Sequence, residues 1–401
     1  MYKKIDDFVS NLISHVIEAV IARAYFGSPQ KKIKVIGITG TDGKTTTTHA
    51  IYHILTTCGK KASMISSVYA NIAGQTADTG FHVTTPRGWK LYKYLRQAVD
   101  AGSEFFVLET TSHALAQNRT WGIQFETGVL TNITQEHSTE HTNFGDYIAA
   151  KARLLLSAKK SIVNKDAQIF PTIKNILESH HKSFSTYSLM DKTADFVWND
   201  STKTSLVEDF NKQNMLAAIA TCKSLGLGEQ EILNVVSSFT LPKGRMDIVH
   251  TGDFTVIIDF AHTPNSIHKV LEQIKKNYLK NSGRIIHVFG SASERDDIKR
   301  PLMGKASAQF ADYIILTEED YRNEDVQKIC TEIAAGFSSQ TQYEIEPDRE
   351  KAIHKAISMA KKNDIVVLTG KSHEKSLARN GKEVPWDEYK TVRDALNEQK
   401  I

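Results

Sequence analysis

Short apolar runs alternate with stretches of helical spacing along the whole chain. In the first half the runs are KVIGIT, EFFVLET, TGVLTNI and SIVNKD; in the second they are TVIIDFAH, IIHVFG, YIILTEE and IVVLTG. Runs this short, apolar throughout, suit strands buried on both faces. Their separation by helical patterns predicts an α/β protein with mostly parallel sheets. Polar residues and glycines follow the runs directly, at the carboxyl ends of the expected strands, the edge where open α/β sheets bind ligands. A helical segment over 211–226 and then LPKGR, with Pro242 and Gly244, separates the two series. The pattern predicts an N-terminal helix and linker over 1–32, a first domain over 33–241 and a second over 242–401. The polar stretch 179–205 reads as a loop or small hairpin.

At the N-terminus, Ile5, Phe8, Val9, Leu12, Ile13, Val16, Ile17, Val20 and Ile21 recur at helical spacing. His15, Glu18 and Arg23 interrupt this pattern, so the amphipathic helix is not read as a transmembrane segment. Packing on the body or on a partner subunit is its first reading and a membrane surface the other. Composition adds little. With 50 basic and 46 acidic residues the net charge is +4, which suits anionic small substrates and gives no reason to expect nucleic-acid binding. Cys58, Cys222 and Cys330 share no metal spacing, and no signal peptide is evident, so a cytoplasmic protein is expected.

The strongest chemical signal is KIKVIGITGTDGKTTTT, residues 33–49. A strand runs into a glycine turn and then into a hydroxyl-rich helix start. Gly40 and Gly43 let backbone N–H groups approach an anion, with Thr41, Asp42 and Thr46 in the same loop. Lys44 supplies a point charge, and Thr45 offers a hydroxyl to Mg²⁺. Ile38 stands where the usual nucleotide signature has its first glycine. Glu109 ends EFFVLE and is placed to hold Mg²⁺ as a Walker-B acid does. His137-Ser-Thr-Glu140-His141 matches a zinc-peptidase pattern, but it follows a strand in a polar stretch rather than sitting in a helix. By spacing alone, Lys151 in GDYIAAKARLLL reads as a surface lysine with a packed stem. In the second half, Asp259 to Pro264, Gly290 to Asp296 with Lys299 and Arg300, Tyr321-Arg322, and Gly370 to Glu374 each close a strand.

Taken in order, GTDGKTTT, VTTP, ETTSHALAQNR, TNITQEH, YIAAKARL, FNKQN, GRMD, DFAHTPNS, RDDIKRPLMG and GKSHE resemble the Mur ligase family, and within it the tripeptide-synthetase branch. The resemblance runs from about Lys31 to the C-terminus. It implies a P-loop-type central ATPase domain and a smaller Rossmann-like α/β domain that binds the amino acid. It also implies an ATP- and Mg²⁺-dependent ligase: a carboxylate takes the γ-phosphoryl of ATP, and an amine attacks the acyl phosphate. By resemblance Lys44 contacts the phosphates, Thr45 and Glu109 hold one Mg²⁺, and His137 holds a second. Lys151 matches the family's carbamylated lysine, a carboxylate-like group that can ligate or orient the metal. Asn214, Arg245, Asp259, His262 and Lys299 are implied around the nucleotide. Thr84, Thr85, Ser112, Gln117 and Arg119 are implied to face a muramoyl-peptide, and Arg295, Arg322, Gly370 and Glu374 the incoming diamino acid.

The sequence also departs from the family. Members usually carry a uridine-diphosphate-gripping domain before the phosphate loop, whereas about 32 residues precede it here. Where the diaminopimelate form has Asp-Asn-Pro-Arg, this chain has Glu319-Asp320-Tyr321-Arg322, and Glu136 replaces an aspartate before His137. The resulting expectation is a ligase adding diaminopimelate or lysine to a muramoyl-dipeptide in peptidoglycan precursor synthesis. The alternatives are the same chemistry on a folate or a non-UDP muramoyl carrier, and a non-catalytic ATP-binding scaffold.

Overall fold

The computed structural model describes residues 2–77, 84–134, 143–280, 282–294 and 296–398, with side chains from residue 14. These residues divide after Thr240 into two compact units.

The first unit begins with α1 (Tyr2–Tyr25). The series continues through β1 (Lys34–Thr39), α2 (Lys44–Thr57), β2 (Ala62–Ile65), β3 (Ala70–Ile72), β4 (Gln75–Ala77), α3 (Gly88–Asp100) and β5 (Phe105–Glu109). It goes on with α4 (Ser112–Ala116), β6 (Phe125–Leu130), α5 (Phe144–Ser157), β7 (Ala158–Asn164), α6 (Phe170–Ser179), β8 (Phe184–Ser188), β9 (Phe196–Val197), α7 (Asp209–Ser224) and α8 (Glu229–Val236). The strands form one sheet in the order β4-β3-β2-β5-β1-β6-β7-β8-β9. From β2 to β9 every pairing is parallel, and β3 and β4 add an antiparallel edge. β1 is flanked by β5 and β6, so chain order reverses around it and the ends of these three strands open onto one crevice.

Gly37 and Gly128 let α5 approach the sheet closely: a Cβ on Gly37 would lie 2.7 Å from the Phe125 ring and 2.8 Å from Leu154. The core on this face joins Val35, Phe106, Leu108 and Phe125 to Leu91 and Leu95 of α3, Leu154 of α5 and Ile173 of α6. The stretch 179–205 is no hairpin. β8 and β9 pair in parallel and extend the sheet, with Asp195 accepting bonds from the Thr186 amide and hydroxyl.

α1 docks through small residues. Ala19 and Ala22 are buried, and a Cβ on Gly88 of α3 would sit 3.0 Å from the Ala19 Cα. Ile17, Val20 and Ile21, the apolar positions the periodicity turns inward, are exposed instead. Close backbone contact with α3 favours the alanine face. Among the described residues, no helix is long and apolar enough to cross a membrane.

The second unit holds β10 (Asp247–Thr251), β11 (Thr255–Ile258), α9 (Pro264–Asn277), β12 (Ile285–Phe289), α10 (Lys299–Ala308), β13 (Tyr313–Leu316) and α11 (Val326–Ala334). It closes with β14 (Tyr343–Ile345), α12 (Arg349–Met359), β15 (Ile365–Leu368), β16 (Ser376–Arg379), β17 (Lys382–Pro385) and α13 (Glu388–Glu398). Its main sheet runs β10-β11-β15-β12-β13-β14, parallel except at β10, with β16 and β17 a separate hairpin. The central strands are buried from end to end, as a sheet covered on both faces requires. α9 starts with a capping box between Thr263 and Ser266, with Pro264 in its first turn. Arg349 and Glu388, both fully buried, lock α12 to α13 with two hydrogen bonds of 2.9 and 2.6 Å.

Candidate active site

At the end of β1 the chain turns through Gly40, with φ 154°, and Gly43, with φ 82°, the N-cap of α2. The first amides of α2 therefore follow a left-handed glycine, an arrangement suited to a phosphate. The strand behind the loop needs no glycine at Ile38, which is wholly buried and in register with Glu109 and Val129. The end of β6 holds the loop in place. The Thr131 hydroxyl donates to the Asp42 carbonyl at 2.6 Å, Asn132 Oδ1 accepts from the Asp42 amide at 2.9 Å, and the Thr41 amide donates to the Asn132 carbonyl at 2.9 Å. Lys44 turns its ammonium onto the Thr41 carbonyl at 2.7 Å.

Thr45 and Glu109 meet behind the loop. The Thr45 hydroxyl donates to Glu109 Oε1 at 3.0 Å and lies 2.9 Å from the Ser67 hydroxyl, while the Ser67 amide donates to Glu109 Oε2 at 2.8 Å. A buried carboxylate flanked by two hydroxyls is an all-oxygen donor set that fits Mg²⁺ and would poorly suit a soft metal. Ser67 was not legible in the sequence, because the four-residue strand before it is too short to stand out. Asn214 of α7 closes the loop's other flank: a Cβ on Gly43 would lie 2.2 Å from its Oδ1. Thr46 is buried in the first turn of α2.

Lys151 is not a surface lysine. It is 2% exposed, its Nζ donates to the Gly40 carbonyl at 2.6 Å, and it lies 4.4 Å from the centre of the Tyr147 ring. The Tyr147 hydroxyl in turn sits 3.0 Å from that of Thr41. Tyr147 thus joins Lys151 to the loop, a role its place among apolar helix residues did not reveal.

Beyond Glu109, the Thr85 hydroxyl donates to the Glu109 carbonyl at 3.0 Å and accepts from the Thr111 amide at 3.1 Å. Arg119 donates through Nη1 to the Thr85 carbonyl and through Nε to Gln117 Oε1, both at 2.8 Å. Gln117 reaches His113 at 2.7 Å, and Ser112 is buried in the first turn of α4. Thr84 is half-buried at the start of the same segment. His137 lies outside the described residues, as does the zinc-like stretch around it.

The second unit gathers its own set. Asp259 accepts from the Met246 and Ala261 amides at 2.7 and 2.8 Å. The Arg245 guanidinium lies 4.6 Å from the Phe260 ring centre, and the rings of His262 and His373 pack on that ring at 4.8 and 4.9 Å. Lys299 donates to the His262 carbonyl at 2.9 Å. At the ends of β13 and β15, Lys371 bridges Asp320 at 2.8 Å and Glu374 at 2.5 Å. Burial alone would lower the Lys371 amine, but Glu374 and Asp320 outweigh it and hold it above the usual lysine value. Gly370, with φ 99°, comes so close to Glu319 that a Cβ would lie 2.7 Å from Oε2. Burial pushes the Glu319 carboxyl up. Arg322 donates to the Ser293 carbonyl. Arg295 lies outside the described residues.

Residues 38–241 match the model of the Mur ligase middle domain, and 244–372 that of the Mur ligase glutamate ligase domain. The chain belongs to the Mur ligase family. It is 36% identical over 393 residues to the UDP-N-acetylmuramoyl-L-alanyl-D-glutamate–2,6-diaminopimelate ligase of Aquifex aeolicus, an alignment covering 94% of this chain and 80% of that protein. A solved structure of an enzyme of that name is 27% identical, with a TM-score of 0.63 over 96% of this chain and 83% of the other. Folylpolyglutamate synthase from Mycobacterium tuberculosis, solved with ADP and AMPPCP, shares the fold, with a TM-score of 0.72 at 14% identity over 90% of this chain and 96% of its own.

Proposed function

We propose that this chain uses ATP to join 2,6-diaminopimelate to a UDP-N-acetylmuramoyl-L-alanyl-D-glutamate acceptor, in the synthesis of peptidoglycan precursors. The observation that carries the reading is the glycine loop backed by the Thr45, Ser67 and Glu109 cluster, in a chain of this family. The α2 amides and Lys44 bind and orient the transferred phosphoryl group, and positioning of this kind supplies much of the rate in phosphoryl transfer. Thr45 and Glu109 would hold Mg²⁺, which when bound neutralises charge on the phosphates, and His137 is the proposed holder of a second ion. Lys151 is proposed to carry CO₂ on its amine. An ammonium cannot ligate a cation, whereas a carbamate can, and burial favours the neutral amine that takes up CO₂.

Thr84, Thr85, Ser112, Gln117 and Arg119 would meet the acceptor peptide. Asn214 of the first unit is proposed to contact the nucleotide, as are Arg245, Asp259, His262 and Lys299 of the second, while Arg295, Arg322, Gly370 and Glu374 would take the far end of the diamino acid. An arginine for a carboxylate and a glutamate for an ammonium is the pairing that end requires. The test is phosphate release from ATP with UDP-muramoyl-L-alanyl-D-glutamate and either diaminopimelate or lysine. Release with diaminopimelate is expected. Release only with a folate acceptor would replace the substrate assignment, and none with any acceptor would refute it.

A further inference from the structure

His15 of α1 is 6% exposed, yet its Nδ1 makes no hydrogen bond; the nearest carboxylate oxygen, on Glu18, is 4.0 Å away. Three of the charged or titratable groups acting on it, Arg87, Arg119 and His113, are basic, and Glu18 opposes them. Burial and then Arg87 and Arg119 hold the imidazole below its usual value. Arg119 is lowered in the same way, by burial first and by Arg87 next, again opposed by Glu18. His15 and Arg119 are each buried beside Arg87, so an anion among these groups would offset their charge.

Beside this cluster runs a groove of about 530 Å³, lined by Ser14, Ile17, Glu18, Ile21, Arg87 and Trp89. Glu18 fixes its wall by accepting from Arg87 Nε at 3.0 Å and from the Trp89 amide at 2.9 Å. Trp89 is 41% exposed and Ile17 and Ile21 are 51% and 55% exposed, so the groove offers an aromatic face with apolar flanks. Such a surface suits the ring of a sugar or base. A chain of contacts links the groove to the acceptor side of the site. Glu109 binds Thr85 through its carbonyl, Thr85 binds Arg119 through its own, and Arg119 is coupled to Arg87 at the groove. If the reacting carboxylate lies at the Glu109 end, the portion of the acceptor reaching the groove is its far end.

We propose that α1 is part of the acceptor site: the groove between α1 and Arg87–Trp89 holds the phosphate-bearing carrier end of the muramoyl acceptor, with Arg87 facing the phosphate, His15 and Arg119 behind it, and Trp89 facing the adjoining ring. This rests on the acceptor reading above, and the experiment separates the two. In the full chain, Arg87→Ala should raise KM for UDP-muramoyl-L-alanyl-D-glutamate about 10-fold to 100-fold, the loss of a charge-assisted hydrogen bond, and Trp89→Ala about 2-fold to 10-fold, the loss of a stacked ring, while kcat and the KM for ATP hold. The penalty should vanish with a muramoyl-dipeptide lacking the carrier phosphates. Unchanged acceptor KM in both variants overturns the proposal.

A second readout needs no turnover. The His15 imidazole, followed by NMR, should titrate at higher pH when inorganic pyrophosphate is added, because an anion offsets Arg87 and Arg119. Arg87→Ala should weaken that response. A His15 response in a protein that turns over no muramoyl acceptor would keep the anion site and refute the enzymatic reading. Turnover with no His15 response and no KM change would do the reverse.

Discussion

Gly43 combines two constraints that can be separated by mutation. Its φ of 82° strains any L side chain, and a Cβ there would lie 2.2 Å from Asn214 Oδ1. Gly226 shares the strain, with φ 96°, but has nothing within 4 Å of its Cβ position. Gly226→Ala should therefore cost about 1–2 kcal/mol of stability and leave nucleotide affinity alone. Gly43→Ala should cost more than that, because Asn214 must also shift, and weaken ATP binding at least 10-fold, read by calorimetric titration; equal affinities would show that Asn214 does not shape the loop. At Lys151 the expected modification makes a different claim. Lys151→Ala should lower kcat roughly 100-fold to 1,000-fold, as removal of one preorganised charge does. Acetate should restore part of the rate by supplying the missing carboxylate, and rate in the wild type should rise with bicarbonate. An unmodified Lys151 by intact mass under CO₂, with no bicarbonate response, would remove the carbamate from the mechanism. Lys44, Thr45 and Glu109 could be picked out in the sequence because strand ends and glycine turns announce themselves locally. Ser67, Tyr147 and His15 could not, since each acquires its place only through a partner distant in the chain: Glu109, Thr41 and the Arg87–Arg119 pair.

At the scale of elements, the eight apolar runs quoted from the sequence all lie on strands of the two sheets, because a strand covered on both faces must be apolar throughout. The strands that left no such mark are short, lie toward sheet edges or form the small hairpin: β2, β3, β4, β8, β9, β10, β14, β16 and β17. β9 has only two residues and is half-buried. An edge strand is specified by its neighbour more than by its own composition. The same holds for links between helices. Arg300 of α10 is buried and forms ion pairs with Glu324, ahead of α11, and with Glu332 in α11. The hydrogen bonds from Arg300 hold the Glu324 carboxyl down, from 4.5 to about 2. Because the folded value is the lower one, this contribution is present above pH 4.5 and disappears as pH falls through about 2. Glu324→Gln should thus cost roughly 3 kcal/mol or less at neutral pH, where Glu324 is ionised. The gap between variant and wild type should close between pH 4.5 and 2, measured by urea unfolding at each pH. A constant gap across that range would mean that Glu324 contributes packing rather than charge.

For the whole molecule, the division after Thr240 makes a thermodynamic claim about which ligand stabilises what. A ligand that binds only the folded form of a unit adds RT ln(1 + [L]/Kd) to that unit, about 2.7 kcal/mol at a concentration of 100 Kd. The proposed phosphate and metal groups, Lys44, Thr45, Glu109 and Lys151, belong to the first unit, and the proposed amino-acid groups, Arg322, Gly370 and Glu374, to the second. Two compact units need not unfold in one step, so calorimetry should resolve two transitions. ATP with Mg²⁺ should raise the transition of the first unit most, with a smaller rise in the second from Arg245, Asp259, His262 and Lys299, and diaminopimelate alone should raise that of the second. Assigning the transitions needs a marker in each unit. Ile54→Ala, which empties a fully buried site in α2, should lower only the transition that ATP raises most, and Ile357→Ala in α12 only the other, each by about 2–5 kcal/mol. If ATP with Mg²⁺ instead raised a single transition that both variants lower, the two units would be unfolding as one cooperative body. If diaminopimelate moved the transition marked by Ile54→Ala, the amino-acid groups would have been assigned to the wrong unit, and the Arg322, Gly370 and Glu374 set would have to be given up.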